Sequence, residues 1–276
     1  MLRAKTIRSK RSAVTSAPQN FWEHLDELRG SIIKMLIAVT ICAVAAFCFK
    51  AALFDLLLAP CEENFFTYRL LESVAAWVTS GEASGLAPLE VQLINTGLAH
   101  QFLLHLKAAF FVGVLAASPY IIYLLFHFIA PALYARERSC AVRLVVSGYV
   151  MFGLGLLLTY YLIFPLTFRF LGTYQVSEAV ANTVTLASYL ETLLMLSLSM
   201  GIVFEIPVIC SILGRFGLLR AQLMRKYRRH VIVGLLILAA IITPTADAFT
   251  LLLVAFPMWL LFEVSIWVVR ERPDRQ

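Results

Sequence analysis

Five carboxylates of this chain stand among neighbours that make them chemically notable. Glu27 closes the stretch His24-Leu-Asp-Glu27, just before Leu28-Arg29, and Glu137 lies between Arg136 and Arg138. Pairing with those arginines is a weak reason for either, because exposed ion pairs contribute only ~0–1 kcal/mol. Glu205, Asp247 and Glu263 lie within or beside long apolar runs. An ionised carboxylate near mid-bilayer costs roughly 2.5–3.5 kcal/mol on insertion scales, so such groups face protein, water or a partner. Glu205 precedes Ile206-Pro207, and the proline frees a backbone carbonyl, which predicts a kinked helix with a polar dent. Asp247 reads equally well as a helix cap, and Glu263 as an interfacial residue paired with Arg270.

Nucleophilic and metal chemistry find little support. His24, His100, His105, His127 and His230 are scattered, and Cys42, Cys48, Cys61, Cys140 and Cys210 lack metal-ligand spacing. The odd cysteine count assigns no disulfide. No enzyme and no cofactor are expected.

The elements that hold these residues follow from hydropathy. The chain is 61% hydrophobic and 14% charged, against roughly 25% charged in a soluble domain. Six apolar runs read as membrane segments of an all-α fold. They cover approximately Ser31–Phe49, Phe102–Phe128, Val142–Pro165, Leu186–Leu213, Val231–Thr243 and Ala248–Val269. A helix needs about 20 residues to cross ~30 Å of hydrocarbon. The fifth run falls short, and it forms a tight, short hairpin with the sixth.

The net charge of +6 is concentrated in four basic clusters. They lie in the N-terminal tail, around Arg136–Arg143, around Arg215–Arg229 and after Val269, each beside an apolar run. That arrangement is a topology signal rather than a nucleic-acid surface. It places both termini and the even-numbered loops on the cytoplasmic side of the inner membrane. Residues 1–20 read as a basic cytoplasmic tail, 21–269 as the membrane domain and 270–276 as a second cytoplasmic tail. The first apolar run is too long for a cleaved signal. Phe21, Leu25 and Leu28 recur at helical spacing beside Trp22, which predicts a short amphipathic helix on the inner leaflet, capped by Asn20. The long first outer loop, about Lys50 to Gln101, holds two candidate helices, Leu53–Leu58 and Ser73–Val78.

The chain resembles the TatC family, the core subunit of the twin-arginine protein translocase. The match is carried, in family order, by His24-Leu-Asp-Glu-Leu-Arg29, Phe128-Ile-Ala-Pro-Ala-Leu-Tyr134 with Glu137-Arg138, Phe164-Pro165, Phe204-Glu-Ile-Pro207, and Thr243-Pro244 followed by Asp247. Ala59-Pro60 also fits. The resemblance implies six helices in a concave, glove-like wall, the last two short. It implies binding of twin-arginine signal peptides at Glu27 and Glu137, flanked by His24, Arg29, Phe128 and Tyr134. The chemistry suits that task, because a guanidinium presents a planar fork of donors that a carboxylate accepts bidentately.

The same resemblance implies that Glu205 is the family's intramembrane carboxylate, facing the concave side. Thr243, Asp247 and Leu251 fall where single-span TatA- or TatB-like partners dock, and Pro60, Pro131, Pro165 and Pro207 are structural. Folded proteins would move at the expense of the protonmotive force, within a larger self-associated complex. At two places the chain departs from the family pattern. Ser31 stands where a second basic residue is common, and Leu251 where many relatives carry Gln. The alternative reading is a proton-coupled small-molecule transporter using Glu205 and Asp247, but no internal repeat supports it.

Overall fold

The computed structural model describes residues 21–62, 64–78, 93–129, 138–174, 183–244 and 247–269. They form an all-α membrane bundle whose helices run between a basic end and a capped end.

Helix α1 (Phe21–Cys48) is continuous through 28 residues. The predicted surface helix is therefore the first turns of the first span rather than a separate element. No proline divides the two, and Gly30, at the junction, has open space around it. The expected cap, Asn20, lies outside the described residues. Helix α1 packs antiparallel along α4 (His100–Ile129). Gly113 permits their close approach, since a Cβ there would fall 2.6 Å from the backbone of Ala43. Phe47 stacks on His105 with ring centroids 4.1 Å apart. The other faces of α1 expose Ile33, Leu36, Ile37 and Ile41, side chains that lipid solvates as well as protein does.

The third span is interrupted. Helix α5 (Arg138–Leu158) passes through a π turn, Thr159–Ile163, into α6 (Phe164–Thr173). Pro165 has no N–H to return to the preceding turn. The carbonyl of Tyr161 instead accepts a hydrogen bond from the Thr67 hydroxyl.

The core lies along α7 (Leu186–Val203), where Leu190, Leu193, Leu196 and Met200 are almost wholly buried. Gly155 and Gly201 allow α5 and α7 to touch. Helix α7 stops at a turn through Phe204 and Glu205, and α8 (Ile206–Arg215) continues with Pro207 in its first turn. The predicted kink falls at this turn, where Phe204 and Glu205 keep right-handed helical backbone angles.

At the capped end, α2 (Lys50–Leu58), a short 3-10 turn (Ala59–Cys61) and α3 (Phe66–Val78) roof the bundle. A two-residue strand β1 (Leu93–Ile94) pairs in parallel with β2 (Val184–Thr185), joining the two outer loops. Tyrosine hydroxyls lock the roof down. Tyr189 donates to the Leu57 carbonyl at 2.8 Å and Tyr160 to that of Leu56 at 2.6 Å.

At the basic end, α9 (Ala221–Lys226) leads into the hairpin of α10 (Arg228–Ile242) and α11 (Ala248–Val268). The 15 residues of α10 reach only ~22 Å at ~1.5 Å per residue. The 21 residues of α11 meet spanning length, so the shortfall of the hairpin lies in α10. Glu263 pairs with Arg228 at 2.8 Å across the hairpin; the partner expected from the sequence, Arg270, lies outside the described residues.

Candidate functional site

The sequence-predicted residues fall into three places. The first is the basic end of the α1–α4 pair. Glu27 lies two turns into α1, half-buried, with Arg29 exposed beside it. His24 is in the first turn of the same helix. Phe128, half-buried, is in the last turn of α4. The antiparallel register set by Ala43 on Gly113 and Phe47 on His105 brings the start of α1 beside the end of α4. Helical folding alone would leave Glu27 and Phe128 about a hundred residues apart; the helix pair puts them at one membrane face. Pro131, Tyr134 and Glu137 follow α4 directly in the chain and lie outside the described residues.

The second place is the break between α7 and α8. Glu205 occupies the N-cap position of α8. Both of its carboxyl oxygens are buried, and neither has a hydrogen-bond partner among the described residues. The carboxyl lodges in a notch left by Gly148 of α5. A Cβ on Gly148 would stand 3.1 Å from Glu205 Oε2, 2.8 Å from Phe126 Cε2 and 3.3 Å from Ile122 Cγ2. The expected polar dent is therefore an apolar notch in the protein wall, made by the absence of one side chain. No short-range pattern around Glu205 marks Gly148, Phe126 or Ile122, because they belong to other helices.

The third place is the turn between α10 and α11. Buried Thr243 donates its hydroxyl to the Ala239 carbonyl at 3.0 Å and ends α10. Asp247 caps α11, its Oδ1 accepting from the Thr250 N–H at 2.6 Å. The cap reading of Asp247 holds. Leu251, one turn later, is half-buried.

Two of the four predicted structural prolines, Pro60 and Pro165, share a partner, and Pro207 lies in the first turn of α8. The Tyr68 hydroxyl donates to the carbonyl of Pro60 at 2.9 Å and faces that of Pro165 at 3.4 Å, tying the 3-10 turn to α6. Burial pushes the Tyr68 hydroxyl well above the ordinary tyrosine range, helped by nearby Cys61 and opposed by Arg169, which lies over the ring. Burial likewise pushes the Cys61 thiol up. One ion pair escaped sequence reasoning: Lys107 of α4 meets Glu191 of α7 at 2.6 Å, with both side chains about half exposed. Among the described residues, no group of His, Cys, Asp and Glu is arranged to hold a metal ion.

Among the described residues, the geometry puts Glu27 at one membrane face and Glu205 in the protein wall. The family model described as "Sec-independent protein translocase protein (TatC)" matches residues 23–257. Sec-independent protein translocase protein TatC of Deinococcus radiodurans is 33% identical over 261 residues, covering 93% of this chain and 87% of that protein. The TatC of Escherichia coli K12 is 32% identical over 247 residues, covering 90% and 86%. A crystal structure of the twin arginine translocase receptor TatC superposes with a TM-score of 0.71 at 30% identity, covering 90% of this chain and 98% of that one. A second, of the receptor in the detergent DDM, gives 0.73 at 29% identity, covering 90% and 100%.

Proposed function

Because this chain belongs to the TatC family of Sec-independent protein translocase proteins, we propose that it is the receptor of a twin-arginine translocase and binds signal peptides carrying two adjacent arginines. Glu27 and Glu137 each accept one guanidinium, bidentately, at the cytoplasmic membrane face. His24, Arg29, Phe128 and Tyr134 flank them. The observation that carries this reading is the α1–α4 register, which supports a common location for Glu27 and the segment leading to Glu137. Two neighbouring arginines need two carboxylates at one face, and a single helix does not supply them.

Both termini are cytoplasmic in this reading, which the four basic clusters support. Single-span TatA- and TatB-like helices dock at the α10–α11 hairpin. A helix of ~22 Å leaves ~30 Å of hydrocarbon mismatched, and a thinned bilayer or an added protein helix relieves that. Thr243 and Asp247 spend hydroxyl and carboxylate on their own helix ends. Docking therefore rests on packing around Leu251. Transport of folded proteins draws on the protonmotive force, with Glu205 as the intramembrane carboxylate.

The test is complementation. A bacterial strain lacking its own TatC, but retaining TatA and TatB, receives this chain with a folded fluorescent reporter behind a twin-arginine signal. The reading predicts reporter outside the inner membrane, lost when the arginine pair is replaced by two alanines. Uptake of small solutes without reporter export would favour a transporter instead.

A further inference from the structure

Helix α3 has two unlike faces. One packs into the roof: Thr67 and Tyr68 are 3% and 1% exposed, held by the hydrogen bonds to Tyr161 and Pro60. The other carries Phe66, Leu70 and Trp77, which are 62%, 47% and 85% exposed. Their spacing places them in one row along the helix. Arg69 and Ser73 border that row and complete a shallow open groove with it. Three large apolar side chains in a row are not a surface that water solvates well.

The position of α3 relative to the bilayer follows from the third span. Tyr161 lies ~28 Å along the helix from Val142, where that apolar stretch begins, at ~1.5 Å per residue. That distance is close to the ~30 Å of a hydrocarbon core. Tyr160 and Tyr161 thus stand at the level where aromatic belts form. Helix α3 starts at this level: Phe65 stacks on Tyr161 at 5.6 Å and Phe66 meets it edge-on at 6.2 Å. Below Tyr161, on the same face of the span, Val146, Val150, Leu154 and Leu157 form an exposed apolar stripe. The row on α3 continues that lipid-facing stripe.

We infer that α3 is an interfacial anchor, whose Phe66–Leu70–Trp77 face lies in the boundary between headgroups and acyl chains of the leaflet at the capped end. The occupant of the groove is the lipid surface. Arg69 reaches the phosphate level, as basic residues on amphipathic interfacial helices do. The roof over the bundle is then fixed at two points, to α6 through Tyr68 and to the membrane through Trp77.

The full chain, with Trp22, Trp259 and Trp267 replaced by Phe, is reconstituted in phosphatidylcholine–phosphatidylglycerol vesicles. Brominated lipids then report the depth of Trp77. The inference predicts several-fold quenching by bromines placed near the headgroup, weaker quenching by bromines deep in the chain, and little quenching by iodide. Strong iodide quenching with none from bromolipid would overturn it. Protection from both quenchers would also overturn it, by showing a second copy or another protein on this face. Trp77→Cys, placed in a protein whose five native cysteines are replaced by Ala, gives an independent readout. A membrane-impermeant maleimide should modify it several-fold more slowly in vesicles than Thr96→Cys, an exposed position beside β1, and equal rates would refute the anchor.

Discussion

Gly148→Ala is a one-carbon change that should reach Glu205. The new Cβ would stand 2.8 Å from the Phe126 ring edge, 3.1 Å from Glu205 Oε2 and 3.3 Å from Ile122. Overpacking of this kind costs ~1–3 kcal/mol. The Phe126 ring edge yields first, and the carboxyl is the next contact that can move. For a chain of this size, about 2–4 °C of melting midpoint corresponds to each kcal/mol. Thermal unfolding of the purified protein in detergent should therefore show a drop of several degrees. Glu205→Ala removes the carboxyl and makes room, so the double variant should lose less than the sum of the single losses. The coupling should fall in the ~0.5–3 kcal/mol range of residues in contact. Strictly additive losses would refute the notch. So would an unchanged midpoint in Gly148→Ala. Within the same pocket, Glu205→Gln should be milder than Glu205→Leu, because the amide keeps the size of the carboxyl and the branched chain does not.

Tyr68→Phe removes the donor shared by Pro60 and Pro165 and should destabilise by ~1–3 kcal/mol, as an unsatisfied buried carbonyl does. The raised Tyr68 titration means that its contribution is intact below the ordinary tyrosine value of about 10 and declines as pH rises through it; alkaline melting should thus be less steep in Tyr68→Phe than in the parent. Asp247→Ala should cost ~0.5–2 kcal/mol through loss of the α11 cap, seen as faster hydrogen exchange at Thr250, and Asp247→Asn should restore most of it. Leu251→Gln should preserve or strengthen site-specific crosslinks to TatA- or TatB-like helices, and Leu251→Trp should weaken them; absence of any crosslink to the hairpin would remove it as a docking site.

Much of this architecture is legible because hydropathy and proline act locally. The apolar runs, the kink before Pro207, the cap at Asp247 and the presence of two roof helices all follow from neighbours in the chain, though α3 starts at Phe66 rather than at the expected Ser73. What escaped was set by distant neighbours. Phe21, Leu25 and Leu28 match a surface helix, yet they form the first turns of α1, which runs unbroken to Cys48. The π turn before Pro165 leaves a carbonyl that Thr67 satisfies from another loop. Glu263 meets Arg228 because the hairpin brings the start of α10 to the end of α11, a pairing that chain proximity does not suggest. Of the candidate site, the carboxylate positions were readable but their surroundings were not. Gly148 matters for what it leaves empty, and nothing in its own segment announces that. Lys107 and Glu191 lie on different helices, each without a local partner.

The central claim is that Glu27 and Glu137 hold the two arginines of a signal peptide. The most direct measurement is photocrosslinking of a twin-arginine signal peptide to this protein in membrane vesicles, for the parent, Glu27→Ala, Glu137→Ala and the double variant. Loss of one partner of a desolvated charge pair costs ~2–5 kcal/mol, so each single variant should lose most of its crosslinking while remaining inserted at normal levels. A Lys-Lys peptide should distinguish parent from variants far less, since an ammonium lacks the bidentate fork. Undiminished crosslinking of the twin-arginine peptide in the double variant would contradict the account.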